Sequence, residues 1–217
     1  FNRALFYTGA TTVNDGSLIL AGGTDTLFVN AIGGANNLQV NGGTVDLNGN
    51  SQRVSILGSA NNLAGTGGII TNTSGTTVNF TITGGTAIPA NGAGFSGSIN
   101  GNLNLIKSGN NTATFTGVNA YSGTTRLTGG TTTLIDSGAF TNTTSVTAGF
   151  GTTLNIDNRG LVATDRFGAV PVTLQAASFQ FFSGNGVDSV EDFGALTVNG
   201  GMSFIGSTVG SGGSALL

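Results

Sequence analysis

Tyr121-Ser122-Gly123-Thr124-Thr125-Arg126-Leu127-Thr128-Gly129-Gly130-Thr131-Thr132-Thr133-Leu134 is the stretch on which the reading of the fold turns. Its Tyr121, Gly123, Thr125, Leu127, Gly130 and Leu134 repeat the spacing of Tyr7, Gly9, Thr11, Val13, Gly16 and Leu20 near the start of the chain. A second word, Leu38-Gln39-Val40-Asn41-Gly42-Gly43, returns as Leu196-Thr197-Val198-Asn199-Gly200-Gly201, and Val146 to Leu154 is a looser copy. Each word is a short strand, a corner rich in Asn and Gly, and a second strand. Apolar groups such as Val13, Leu18 and Leu20, or Val40, Val45 and Leu47, occupy alternate positions and so share one face. The corners carry the residues best able to take left-handed conformations.

One Asn-Gly word alone signals a two-residue hairpin and an antiparallel pair. Recurrence of the same spaced signature favours a solenoid, in which equivalent strands stack turn on turn. The expected fold is therefore all-β, a right-handed parallel β-helix forming a single elongated rod over residues 1–217. At roughly 20 to 25 residues per turn the chain would make about nine to eleven turns, a rod roughly 45 to 50 Å long. The segment Ile88-Pro89-Ala90-Asn91-Gly92-Ala93-Gly94 reads as a loop leaving the rod, where proline removes no ladder bond. Gly206 to Gly213, with few apolar anchors, reads as a loose end. The interior is assigned to Val13, Leu20, Val40, Leu47, Leu127, Leu134, Leu154 and Phe181, and the corners to Gly16, Gly42 and Gly130.

Composition agrees. The 217 residues include 39 Gly and 2 Pro, and only 7% are charged, far below the usual quarter of a soluble domain. Thr, Ser, Asn and backbone must solvate the surface, and few charges guard strand edges against association. Six scattered basic residues (Arg3, Arg53, Lys107, Arg126, Arg159, Arg166) make no phosphate-binding patch, so nucleic acid is not an expected partner. No apolar run exceeds four residues, so no membrane insertion by this segment is expected, and no signal-peptide pattern opens the chain.

Histidine and cysteine are absent, which removes Ser-His-Asp, Cys-His, thiolate and His-metal chemistry within the chain. Nine carboxylates remain (Asp15, Asp25, Asp46, Asp136, Asp157, Asp165, Asp188, Glu191, Asp192), and a pair converging from neighbouring turns could cleave glycosidic bonds. Most sit beside turn words, where Asp is ordinary. Asp188, Glu191 and Asp192 form the one dense acidic group and a conceivable weak Ca²⁺ contact, but neither an EF-hand nor a calcium β-roll pattern surrounds them. Asp157, Arg159, Asp165 and Arg166 are read as charge pairs on one loop. Phe179 and Phe181 share an inward face and Phe182 points the other way. No catalytic, cofactor or metal residue is assigned, and the chain is read as a non-enzyme.

Lys107-Ser108-Gly109, then Thr112-Ala113-Thr114-Phe115-Thr116-Gly117, Asn119-Ala120-Tyr121-Ser122-Gly123-Thr124-Thr125 and finally Gly130 with Leu134 resemble the autotransporter-associated β-strand repeat. Gly43 to Gln52, and Asp157-Asn158-Arg159 through Asp165-Arg166-Phe167-Gly168, resemble other segments of large surface proteins carrying that repeat. The resemblance implies a parallel β-helix displayed outside a Gram-negative cell as part of a longer polypeptide, with scaffold or adhesin roles. The membrane barrel that exports such passengers is not in this sequence. Expected partners are adjoining solenoid repeats or copies of the chain, with surface glycans and host or neighbour surfaces as further candidates. The expected location is extracellular or the outer cell surface, and the alternative role is a self-assembling filament or sheath subunit.

Overall fold

The computed structural model describes residues 9–27, 36–61, 63–87 and 94–217. The expected repeat partner Tyr7, the opening strand Phe1–Tyr7 and the proposed loop residues Ile88–Ala93 lie outside them. The first turn supplies β1 (Thr11–Val13) and β2 (Ser17–Ile19); the second β3 (Asn37–Val40), β4 (Thr44–Asp46) and β5 (Gln52–Val54). Then follow β6 (Ile56–Gly58), β7 (Ile69–Thr71) and β8 (Val78–Ile82), and next β9 (Thr86–Ala87), β10 (Ser98–Gly101) and β11 (Leu103–Lys107). The fifth and sixth turns hold β12 (Thr112–Phe115), β13 (Val118–Tyr121), β14 (Thr124–Leu127), β15 (Thr131–Ile135), β16 (Ala139–Phe140) and β17 (Ser145–Ala148). The last strands are β18 (Thr153–Asn158), β19 (Val172–Leu174), β20 (Ser178–Ser183), β21 (Asp188–Val190), β22 (Leu196–Val198), β23 (Phe204–Thr208) and β24 (Ser214–Leu216).

These strands pair in parallel, and they build three walls. The first wall runs β1-β3-β6-β9 and resumes as β12-β15-β18-β20-β23; the second is β2-β4-β7-β10-β13-β16, continued by β21-β24. The third wall is the seven-stranded order β5-β8-β11-β14-β17-β19-β22. The chain is thus an all-β parallel solenoid and no hairpin sandwich. It makes about eight turns, fewer than the nine to eleven expected. The shortfall comes from loops that lengthen some turns: Thr112 lies under Thr131, but Leu57 does not meet its partner until Thr86.

The recurrent words are corner units, not turns. Val13 to Leu18 and Val40 to Val45 round the corner from first wall to second, whereas Leu127 to Thr132, Val146 to Leu154 and Val198 to Phe204 round the corner from third wall to first. A strand-corner-strand word with inward apolar positions fits any corner of a three-walled tube, which is why the copies are irregularly spaced along the chain.

Twofold alternation places the core. In β11, Leu103, Leu105 and Lys107 are buried while Asn104 and Ile106 are half-exposed. All eight residues assigned to the interior from sequence are buried there. Rings line the tube in edge-on contact: Phe115 to Phe140 at 5.4 Å, Phe140 to Phe167 at 6.3 Å, Phe167 to Phe193 at 6.5 Å and Phe193 to Phe179 at 5.7 Å between centroids. Such pairs add about 0.5–1.5 kcal/mol each beyond burial. Side-chain amides stack at the corners, as where Asn41 Nδ2 donates to Asn14 Oδ1 at 2.7 Å. The segment expected to be a loose end is in part a five-residue strand, Phe204–Thr208, because its backbone completes the ladder of β20.

Gly16 and Gly130 sit at corners with φ of 69° and 65°, as expected. Gly42 is a correction: it lies at a corner but not at positive φ, and its requirement is space, since a Cβ there would stand 2.7 Å from Asn14 O. Gly130 combines both demands, with Asn111 O 2.5 Å from the Cβ position. Gly130→Val should therefore lower the melting temperature most. Gly16→Val, with open space around it, should cost little more than the roughly 1 kcal/mol of backbone strain. Equal melting of the two variants would contradict this ordering.

Candidate functional site

The carboxylates are dispersed by the turns that hold them. Asp15 is exposed and accepts from Gly16 N at 2.7 Å; Asp25 pairs with Arg53 at 2.9 Å. Asp46 is buried at a corner, where burial alone would raise its pKa. The Thr73 hydroxyl and the N–H groups of Thr73 and Asn48 outweigh that and hold it below the usual carboxylate range. Asp188 and Asp192 are exposed while Glu191 is fully buried, so the acidic group proposed from sequence is split between two faces. No group of three metal-ligating side chains forms among the described residues.

The loop charges also part company. Asp157 pairs with Arg159 at 2.6 Å, and the Arg159 guanidinium lies 4.7 Å over the half-exposed Phe182 ring, a charge pair of the kind expected. Asp165 is exposed at a left-handed φ of 63°. Arg166 corrects the sequence reading: it is buried, in the position where the second wall has no strand between β16 and β21. Its Nη1 donates to Gly138 O at 2.6 Å, its Nε and Nη2 grip Asn158 Oδ1 at 3.1 and 2.7 Å, and its own carbonyl accepts from Phe140 N at 2.8 Å. The long side chain thus does the bridging that a strand would otherwise do, between its own turn and the one before.

Glu191 lies one turn beyond. Its Oε1 accepts from Phe167 N at 3.2 Å, and its Oε2 has no hydrogen-bond partner. The Ser189 hydroxyl, two residues away on the same inward face, is likewise buried without a partner. Burial pushes the Glu191 carboxyl up to about 7 against the opposing pull of the Phe167 and Arg166 N–H groups and the Arg166 charge; exposed Asp165 adds to the rise. Among the described residues Glu191 makes no direct ion pair with Arg166.

Lys107 is buried as well. Its Nζ donates to the carbonyls of Ser108, Gly109 and Gly129 at 2.8, 3.0 and 3.1 Å, which clamps one corner of the rod to the next, and burial brings its pKa down to about 8. Tyr121 is buried with its hydroxyl against that of Thr125, which meets Thr143 at 3.2 Å, and burial raises its pKa. Asn119 closes the set: Nδ2 donates to Gly117 O at 2.8 Å, while Oδ1 accepts from Ile99 N at 3.0 Å. These groups hold turns together. Sequence periodicity marks Lys107 as inward, since it follows Leu103 and Leu105 in phase, and that was the one signal that could have found its burial.

The surface carries two further features. On the outer first wall, Thr, Ser, Asn and Gln stand in files. At the last turn, side chains in phase with the core are open to solvent: Val198 is 53% exposed although Leu174 beneath it is 0%, and Ile205 is 43% exposed above the fully buried Phe179. Comparison with models of known families, with curated proteins and with solved structures finds no match.

The Glu191 carboxyl sets a pH dependence. Its folded-state pKa of about 7 lies above the unfolded value of 4.5, so the folded chain holds this proton more tightly. The resulting stability, on the order of 3 kcal/mol, is fully present below about pH 4.5 and is lost as pH rises through 7. Glu191→Gln keeps the shape and removes the titration. Denaturant melts between pH 5 and 8 should show the wild-type losing stability over that window and the variant losing less. Parallel pH profiles would contradict the assignment.

Proposed function

We propose that this chain is a non-catalytic stretch of an exported surface scaffold, a stalk of the adhesin type, displayed outside the cell. The observation that carries the reading is the parallel ladder itself, three walls of strands stacked turn on turn with the third wall unbroken from β5 to β22. Leu196, Val198 and Ile205 continue the inward columns of Val172, Leu174 and Phe179, and each is exposed. A further solenoid turn of the same pattern would bury them and pair the outer strand edges of β22, β23 and β24. Such stacking gives a rod whose length is set by the number of turns. The resemblance to autotransporter-associated repeats supports the surface location, and so does an exterior solvated by hydroxyls and amides with few charges.

The engagement of the acids also favours a scaffold over a glycan-cleaving enzyme. Asp46, Asp157 and Glu191 are buried and bonded to backbone or to arginine, and Asp25 is paired with Arg53. The same open end supports the second reading, a filament subunit, with another copy of the chain supplying the next turn. Labelling of intact cells with an antibody to the folded chain tests the location: surface staining is expected, and staining only after permeabilisation would overturn the proposal.

End-to-end contact should rest on backbone ladder and apolar burial, so high salt should leave it intact. The purified chain should associate as concentration rises, in rods seen by negative stain. Leu196→Asp together with Val198→Asp should suppress this without changing the circular dichroism of the rod. A chain that stays monomeric at every concentration and salt would contradict the stacking.

A further inference from the structure

The outer face of the first wall is a grid. Parallel register places Thr112, Thr131, Thr153 and Ser178 in one file across β12, β15, β18 and β20. Thr114, Thr133, Asn155 and Gln180 form a second file two residues along the same strands. Every position carries a hydroxyl or an amide and none carries a charge. Thr114 is buried at the lower edge; the other seven are half-exposed or exposed. A third file, Ile135, Asp157 and Phe182, bounds the grid with apolar and ion-paired groups.

Parallel strands repeat at about 4.8 Å, and residues two apart on a strand at about 6.6 Å. Threonine is stiff at χ1, so Thr112, Thr131 and Thr153, on equivalent backbone, favour the same rotamer. Hydroxyl and methyl groups thereby keep fixed places on the grid. Among the described residues no protein acceptor is found for the hydroxyls of Thr112, Thr131 and Thr153, and all three are half-exposed or exposed. The internal bonds of the grid are long: Asn155 Nδ2 to Thr133 Oγ1 at 3.4 Å and Gln180 Nε2 to Ser178 Oγ at 3.5 Å.

We infer that this wall is a binding face for crystalline water, with the two files of Thr112, Thr131, Thr153, Ser178 and Thr133, Asn155, Gln180 holding first-layer waters in register with an ice surface. Hexagonal ice presents oxygen rows with a repeat close to the strand spacing. Water bound on a rigid two-dimensional repeat is already ordered, so merging it with a crystal loses little further freedom. A soluble ligand of low symmetry gains nothing from the repeat. A glycan platform would ordinarily place aromatic faces or charged groups among the hydroxyls; from β12 to β20 the two files have neither, and the exposed Phe204 of β23 follows Ser178 only at the end of the first file. The inference goes beyond the scaffold reading and does not rest on it, because the face is independent of what covers the ends of the rod.

The test is thermal hysteresis and inhibition of ice recrystallisation by the purified chain, with Thr131→Tyr and Thr133→Tyr as variants in the middle of the grid. Thr147→Tyr is the control, outward on β17 of the third wall. Circular dichroism and melting check that all four proteins are folded. Ice shaping by the wild-type and by Thr147→Tyr, lost in both grid variants, is the expected result. A folded wild-type that neither shapes ice nor slows recrystallisation at any soluble concentration overturns the inference. So does equal loss in Thr147→Tyr, or binding to insoluble polysaccharide without any effect on ice.

Discussion

Every part of this molecule depends on the parallel backbone ladder, which brings each turn to within one strand spacing of the next. At that distance some corners leave no room for a side chain. A Cβ at Gly97 would stand 2.0 Å from Gly68 O, and one at Gly117 would stand 2.3 Å from Gly97 O. Glycine at these corners is a consequence of close approach, and the abundant glycine of the sequence is the visible trace of it. The ladder also forces like onto like. Thr lies on Thr in the files of the first wall, while the rings of Phe115, Phe140, Phe167 and Phe193 meet inside the tube although Phe115 lies under Leu134 and Phe140 above Asn119.

Stacking raises the cost of burying charge, and Lys107, Arg166 and Glu191 meet it in different ways. Lys107 is satisfied by three carbonyls, Arg166 by a carbonyl and the Asn158 side-chain oxygen, and both clamp turns together. Glu191 is only half satisfied, with one oxygen bonded to Phe167 N and the other bare. A buried acceptor without a partner costs about 1–3 kcal/mol and more if charged, which is why this carboxyl favours its neutral form. The exterior, by contrast, carries few charges and is solvated by files of hydroxyls and amides.

The fold was largely legible in the sequence because its two signals are local. Alternation at Val13, Val40, Leu127, Leu154 and Phe181 reports which face is inward, and Asn-Gly words report corners. What escaped depends on relations between distant residues. The words near Val40 and Val198 look alike yet turn different corners, since a local pattern carries no information about which wall it joins. Gly42 is the kind of residue expected at left-handed φ, yet its constraint is the carbonyl of Asn14, 28 residues earlier. Arg166 and Glu191 were read as loop charges because a missing strand in the second wall cannot be seen from either residue. The grid on the first wall was equally hidden: Thr112-Ala113-Thr114 and Thr131-Thr132-Thr133 become one surface only once register aligns them.

The scaffold reading and the stacking of turns share one physical claim, that the last turn is incomplete until another covers it. Amide hydrogen exchange followed turn by turn, in dilute and in associated protein, measures this directly. Amides of β11, β15 and β18 should be protected in both states, whereas those of β22, β23 and β24 should exchange fast when dilute and become protected on association. Protection of the last strands equal to that of β15 in the dilute chain would show that the end is already closed, and would contradict the claim.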